Sequence, residues 1–191
     1  VEGHELRGFY TKLNGANMNR LKLVLPTPDY KSLIMNYKSE FIASKDRMYG
    51  TGGLKNAESF NTWYIAFCNN LKEETVRKGL SPETTYLAIR TDDNHLVGMI
   101  NIRHRLNDFL LKNGGHIDFS VRESERQKGY ATEMLGLALK ECIKLNKKKV
   151  LITCDKDNIA SAKTILRNGA ILENEIQDGT KISQRFWITL N

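Results

Sequence analysis

No apolar run in the 191-residue sequence approaches the roughly 20 residues that cross a bilayer, so no membrane-spanning helix is expected. The three cysteines, Cys68, Cys142 and Cys154, are an odd set without C-x-x-C spacing, which excludes a disulfide framework or a zinc knuckle and fits a reducing cytoplasm. The four histidines, His4, His95, His104 and His116, are scattered and form no H-E-x-x-H pattern, so no metal is expected. Internal repeats, low-complexity tracts and Pro/Ser linkers are also missing, and the length can bury a full core without staples. A single domain is therefore expected from residue 18 to residue 191, with Val1–Asn17 read as a leader or an N-terminal extension.

A formal net charge of +7 suits an anionic partner such as a phosphorylated cofactor, a nucleic acid or an acidic surface. Trp63, Trp187 and most other aromatics fall at core-like positions, and no stacking or groove-reading motif accompanies the basic residues, which argues against nucleic acid.

Along the chain, Met18–Leu25 reads as a strand, and Thr27 with Pro28 starts a helix running through Ile42. Ser44–Lys55 holds Gly50, Gly52 and Gly53 and reads as a mobile loop before a second helix over Asn56–Lys78. Thr84–Arg90 and Leu96–Arg103 flank the polar cluster Thr91–His95 as a hairpin. Val150–Cys154 is continuously apolar, as expected of an interior strand parallel to Ile117–Val121. Ile159–Arg167 forms a helix stopped by Asn168-Gly169, and Asp178-Gly179 joins two final strands.

The most informative stretch begins at Gly115. Ile117, Phe119 and Val121 alternate with His116, Asp118 and Ser120, the pattern of a strand on a core. Met134/Leu135, Ala138/Leu139 and Cys142/Ile143 then recur every four residues, so a helix begins near Gly129 or Tyr130. Arg126, Gln127, Lys128 and Gly129 thus precede a helix N-terminus, where N–H groups are free and the dipole is positive, a place for a diphosphate.

The strand, the Arg126-x-x-Gly129-x-Ala131 loop, the helix, the later buried strand and Asn158-x-x-Ser161 together resemble the GNAT superfamily of acetyl-CoA-dependent N-acetyltransferases, in a bacterial-type branch. The resemblance covers Tyr86–Leu190 in element order and is sharpest from His116 to Gly169. It implies a single α/β domain whose mixed, mostly antiparallel sheet is splayed between two parallel strands and flanked by helices.

It also implies that acetyl-CoA is held by Phe119, Ser120, Val121, Arg126, Gln127, Lys128, Gly129, Tyr130 and Ala131, with Asn158 and Ser161 along the pantetheine arm. Exposed Lys163 and Arg167 read as a solvated face rather than as adenosine-phosphate contacts. The implied reaction is direct attack of a primary amine, on a small molecule or a peptide N-terminus, with no metal. A non-catalytic acyl-CoA-binding module is the alternative, because Ile165 stands where many members carry a tyrosine general acid. His116 is the expected proton acceptor, with Asp118 on the same face to orient or replace it. A homodimer is compatible with these features.

Overall fold

The computed structural model describes residues 20–190, so the expectation for Val1–Asn17 lies outside the described residues. Its elements are β1 (Leu21–Val24), α1 (Lys31–Ala43), α2 (Phe60–Asn70), β2 (Glu83–Arg90), β3 (Leu96–Arg103), β4 (Ile117–Val121), α3 (Tyr130–Lys144), β5 (Lys149–Asp155), α4 (Ile159–Arg167), β6 (Ile171–Asp178) and β7 (Lys181–Thr189). They form two antiparallel sheets, one ordered β1-β2-β3-β4 and the other β5-β7-β6.

Two apolar clusters sandwich the first sheet because its strands alternate. Ile100, Ile102, Ile117 and Val121 face α3, where Met134, Leu135, Ala138 and Cys142 are all fully buried. Leu87, Ile89 and Met99 face the opposite way, against Ile34, Tyr37 and Phe41 of α1 and Phe60 and Trp63 of α2. The four-residue repeat of α3 is therefore used as expected, except that Ile143 turns to solvent.

Two helices differ in extent from the expectations. Pro28 opens a short 3₁₀ turn, Pro28–Tyr30, ahead of the α-helical run of α1. The second helix is much shorter than Asn56–Lys78: Ser59 caps it by accepting from the Thr62 N–H at 3.1 Å, and it ends at Asn70. The ladders do not show the expected splay between β4 and a parallel β5. β5 pairs antiparallel with β7, and it meets the chain before β4 only at a Gly115–Ile152 bridge. A buried strand reads the same from sequence whichever neighbour it pairs with.

Trp63 is 1% exposed, and its indole N–H donates to the Thr51 carbonyl at 2.8 Å, tying α2 to the glycine-rich loop. Trp63→Ala should therefore cost about 3–5 kcal/mol in urea denaturation. A cost below about 1 kcal/mol, the level of an ordinary surface change, would show that this packing is not what holds α2 down.

Candidate active site

The site is assembled on β4. Arg103 N–H donates to the His116 carbonyl at 2.8 Å and Arg122 N–H to the Val97 carbonyl at 3.1 Å, which fixes the phase of the β3–β4 ladder. In an antiparallel pair the bonded residues alternate, so His116, Asp118, Ser120 and Arg122 bond toward β3. The backbone groups of Ile117, Phe119 and Val121 consequently point to the other edge, where β5 continues no ladder with them. Of these, the Val121 carbonyl accepts from Arg126 Nε at 3.0 Å.

Beyond β4 the chain makes a 3₁₀ turn over Glu123–Glu125 and enters α3 through two left-handed residues, Gln127 (φ 61°) and Gly129 (φ 83°). Gly129 carries no side chain to cap the helix, and the first backbone bond of α3 runs from Glu133 N–H to the Gly129 carbonyl at 3.2 Å. The amides of Tyr130, Ala131 and Thr132 therefore precede the helical ladder, an arrangement that attracts anions.

Charged side chains around this turn brace it. Arg126 pairs with Asp46, and Lys128 Nζ donates to Glu125 Oε2 and to the Ser124 carbonyl, both at 2.9 Å. Glu125 also receives Arg90 at 2.8 Å; burial pushes its carboxyl up, but Lys128 and Arg90 outweigh that and hold it below the usual range. The Tyr130 ring is buried under the Arg20 guanidinium, 4.7 Å from its centroid. Gln127 projects to solvent.

On the α1–α2 side of the sheet lies a cavity of about 280 Å³, bounded by the Met48–Gly53 loop, Lys55 and Asn56 above and by Glu83, Asn101, Arg103 and Asp118 below. The loop reaches the strand because Gly50 (φ 69°) has no side chain: a Cβ there would lie 2.3 Å from the Asp118 carbonyl oxygen. Ser120 is buried beneath it, donating to the Tyr49 carbonyl and exchanging a 3.0 Å hydrogen bond with the Tyr37 hydroxyl. Burial pushes the Tyr37 phenol far above its ordinary value.

Asp118 faces this cavity and pairs with Arg103, whose guanidinium also donates to the Gly114 and Gly115 carbonyls at 3.1 and 3.0 Å. His116 is buried outside the lining. Its Nδ1 accepts the Leu151 N–H at 3.0 Å while its own N–H donates to the Leu151 carbonyl at 2.7 Å. Burial, reinforced by the charges of Lys147 and Arg103, pushes its pKa down to about 4.

Asn158 caps α4, its Oδ1 accepting from Ser161 N–H at 3.1 Å. Ile165 is fully buried in the larger apolar cluster, and Lys163 and Arg167 are exposed. Glu83, Asn101 and Arg103 were not singled out from sequence. A signal existed: they share a face with Leu87 and Met99, so they are polar residues continuing an otherwise apolar row.

Two outcomes follow from these contacts. His116 must be neutral in the folded state, so unfolding binds a proton between about pH 6.5 and 4, and the stability it contributes above that window is lost on acidification through it. Wild type should lose more stability than His116→Gln on going from pH 7 to pH 4.5 in urea titrations; parallel losses would refute the assignment. Asn158→Ala should cost about 1 kcal/mol through loss of the cap, measurable in the same assay, and no change in stability would show that the cap is idle.

The sequence matches the acetyltransferase (GNAT) domain family over residues 20–171. A search of curated proteins returned no significant match. Solved structures share the fold: one from Vibrio cholerae, provisionally assigned as a ribosomal-protein-serine acetyltransferase, is 20% identical with a TM-score of 0.62, over 90% of this chain and 94% of that one. The acetyltransferase (GNAT family) from Bacillus anthracis is 19% identical with a TM-score of 0.59, over 89% and 95%. The microcin C7 self-immunity acetyltransferase MccE, in complex with acetyl-CoA and AMP, is 17% identical with a TM-score of 0.62, over 90% and 93%. With the family matched across most of its length, from β1 to the start of β6, the chain belongs to the GNAT acetyltransferases.

Proposed function

We propose that the enzyme transfers the acetyl group of acetyl-CoA directly to a primary amine of a small molecule or a peptide N-terminus. The observation that carries this reading is the succession of an open β4 edge and an uncapped α3 N-terminus entered through left-handed Gly129. An extended pantetheine arm can add to such an edge as a strand does. Phe119 and Val121 offer it backbone groups, and the α3 amides of Tyr130 and Ala131 with Gly129 receive the diphosphate.

Acetyl-CoA supplies a thioester whose carbonyl gains negative charge during attack, and in this reading a backbone N–H near Val121 receives that charge. Arg126 and Lys128 act in this reading by holding the turn, since each already has a carboxylate partner. Ser120 anchors the strand beneath the loop, and Asn158 and Ser161 set the start of α4 beside β5. Of the two residues expected to move protons, Asp118 faces the cavity. The hydrogen bond to Leu151 supports a structural role for His116, because its unprotonated nitrogen is already occupied.

Two results are expected. Millimolar acetyl-CoA should raise the melting temperature, because it binds the folded state alone. Gly129→Glu should abolish that shift because its charge is directed at the diphosphate, while the left-handed φ of 83° strains the new side chain and lowers the unliganded stability by only about 1–2 kcal/mol, so the protein still folds. An equal acetyl-CoA shift in both proteins would place the cofactor elsewhere.

A further inference from the structure

The cavity between the Met48–Gly53 loop and the sheet has more hydrogen-bond acceptors than the protein satisfies. Asn101 is 2% exposed; its Nδ2 donates to Thr85 Oγ1 at 2.9 Å, while its Oδ1 has no partner among the described residues. A buried, orphaned carbonyl oxygen is costly and calls for a donor. Glu83 lies on the same face one register step away, because Glu83 pairs with Arg103 and Thr85 with Asn101. Among the described residues its carboxylate receives a long 3.4 Å bond from Asn70 Nδ2 and is met by the nearby Asn101 amide, which leaves acceptor capacity unused on its two oxygens.

The third acceptor, Asp118, is already committed to Arg103, and Arg103 is itself spent on Asp118 and two backbone carbonyls. Any anion entering beneath the loop would therefore meet carboxylates, whereas a group rich in N–H donors would satisfy Glu83 and Asn101 together. Asp118 and Phe119 are sequential on β4, so the cavity adjoins the edge assigned above to the pantetheine arm.

We propose that Glu83 and Asn101 form the acceptor-amine site, with Asn101 Oδ1 orienting a cationic primary amine and Glu83 removing its proton. The proposal rests on the acetyl-transfer reading. Glu83 takes one proton from the bound ammonium, and the freed nitrogen lone pair attacks the thioester carbonyl carbon. The C–N bond forms, the C–S bond breaks, a second nitrogen proton passes to the departing thiolate, and Glu83 returns its proton to solvent. Net, an ammonium and acetyl-CoA give an amide, CoA thiol and one proton.

The carboxyl is suited to this task. Burial pushes Glu83 above the usual carboxylate range; Arg103 opposes, Asp118 adds to the rise, and the amides of Asn70 and Asn101 pull downward. Lys55, on the loop above, is the other charged group facing the cavity. A carboxylate moved toward neutrality is a better proton acceptor at the pH of the reaction than an ordinary one.

The test uses the full chain with acetyl-CoA and two probes, butylamine and a tripeptide with a free N-terminus. Acetyl-CoA affinity is measured by thermal shift, amine affinity by calorimetric titration of the CoA-loaded protein, and turnover by thiol release. Glu83→Gln should keep acetyl-CoA affinity within about twofold of wild type, weaken amine binding about tenfold and lower turnover about 10²-fold or more. It should also remove an acid limb from the pH–rate profile that wild type shows above the ordinary carboxylate range. Asn101→Leu should weaken amine binding to a similar extent, with acetyl-CoA affinity retained as the check on folding.

Wild type that fails to bind acetyl-CoA would overturn the acetyl-transfer reading itself. Wild type that binds acetyl-CoA but neither amine, or variants that bind and turn over amines as wild type does, would leave that reading standing and overturn the acceptor site.

Discussion

The arrangement depends on how the two sheets meet. At His116 the backbone donates to the Leu151 carbonyl and the imidazole accepts the Leu151 N–H, so one residue satisfies both polar groups of a buried strand residue. A regular ladder would use successive backbone groups for this and would run on along β4. By spending a side chain at a single position, the fold satisfies Leu151 without pairing Phe119 and Val121. The open edge thus follows from the need to satisfy buried backbone groups at the junction.

The same strand is constrained from its two faces by different means. Toward α3, Ile117 and Val121 are packed into apolar side chains with no freedom to shift. Toward α1 and α2, the contact is polar: Ser120 is held by Tyr37 and the Tyr49 carbonyl, and Gly50 brings the loop against Asp118. A slip of one residue would send Asp118 and Ser120 into the apolar cluster, so the register that exposes Phe119 and Val121 at the edge is also the register that builds the cavity.

Much of this was legible in the sequence. α3, α4 and the Asp-Gly hairpin followed from periodicity and stop signals because those are local properties. The partner of β5 was not legible: Val150–Cys154 records only that the strand is buried, and sheet order is decided by Phe186 and Ile188 of β7, far along the chain. The turn into α3 could be read because its glycine and its following helix are contiguous. The cavity could not, because Glu83, Asn101 and Asp118 come from three strands and become neighbours only through register.

The distribution of charge joins these observations. The overall excess of positive charge favours an anionic cosubstrate, yet around the α3 N-terminus Arg126, Lys128, Arg90 and Arg20 are each matched to a carboxylate. What remains locally unmatched there is the set of backbone amides, fixed in direction and needing no side-chain ordering when an anion arrives. On the other side of β4 the imbalance has the opposite sense, since among the described residues Asn101 Oδ1 has no donor and Glu83 has acceptor capacity left beyond its long bond from Asn70. One strand therefore separates a donor-rich pocket from an acceptor-rich one. In the proposed reaction a negatively charged thioester carrier and a positively charged amine approach from these unlike sides, and their reacting ends meet at the strand edge between them.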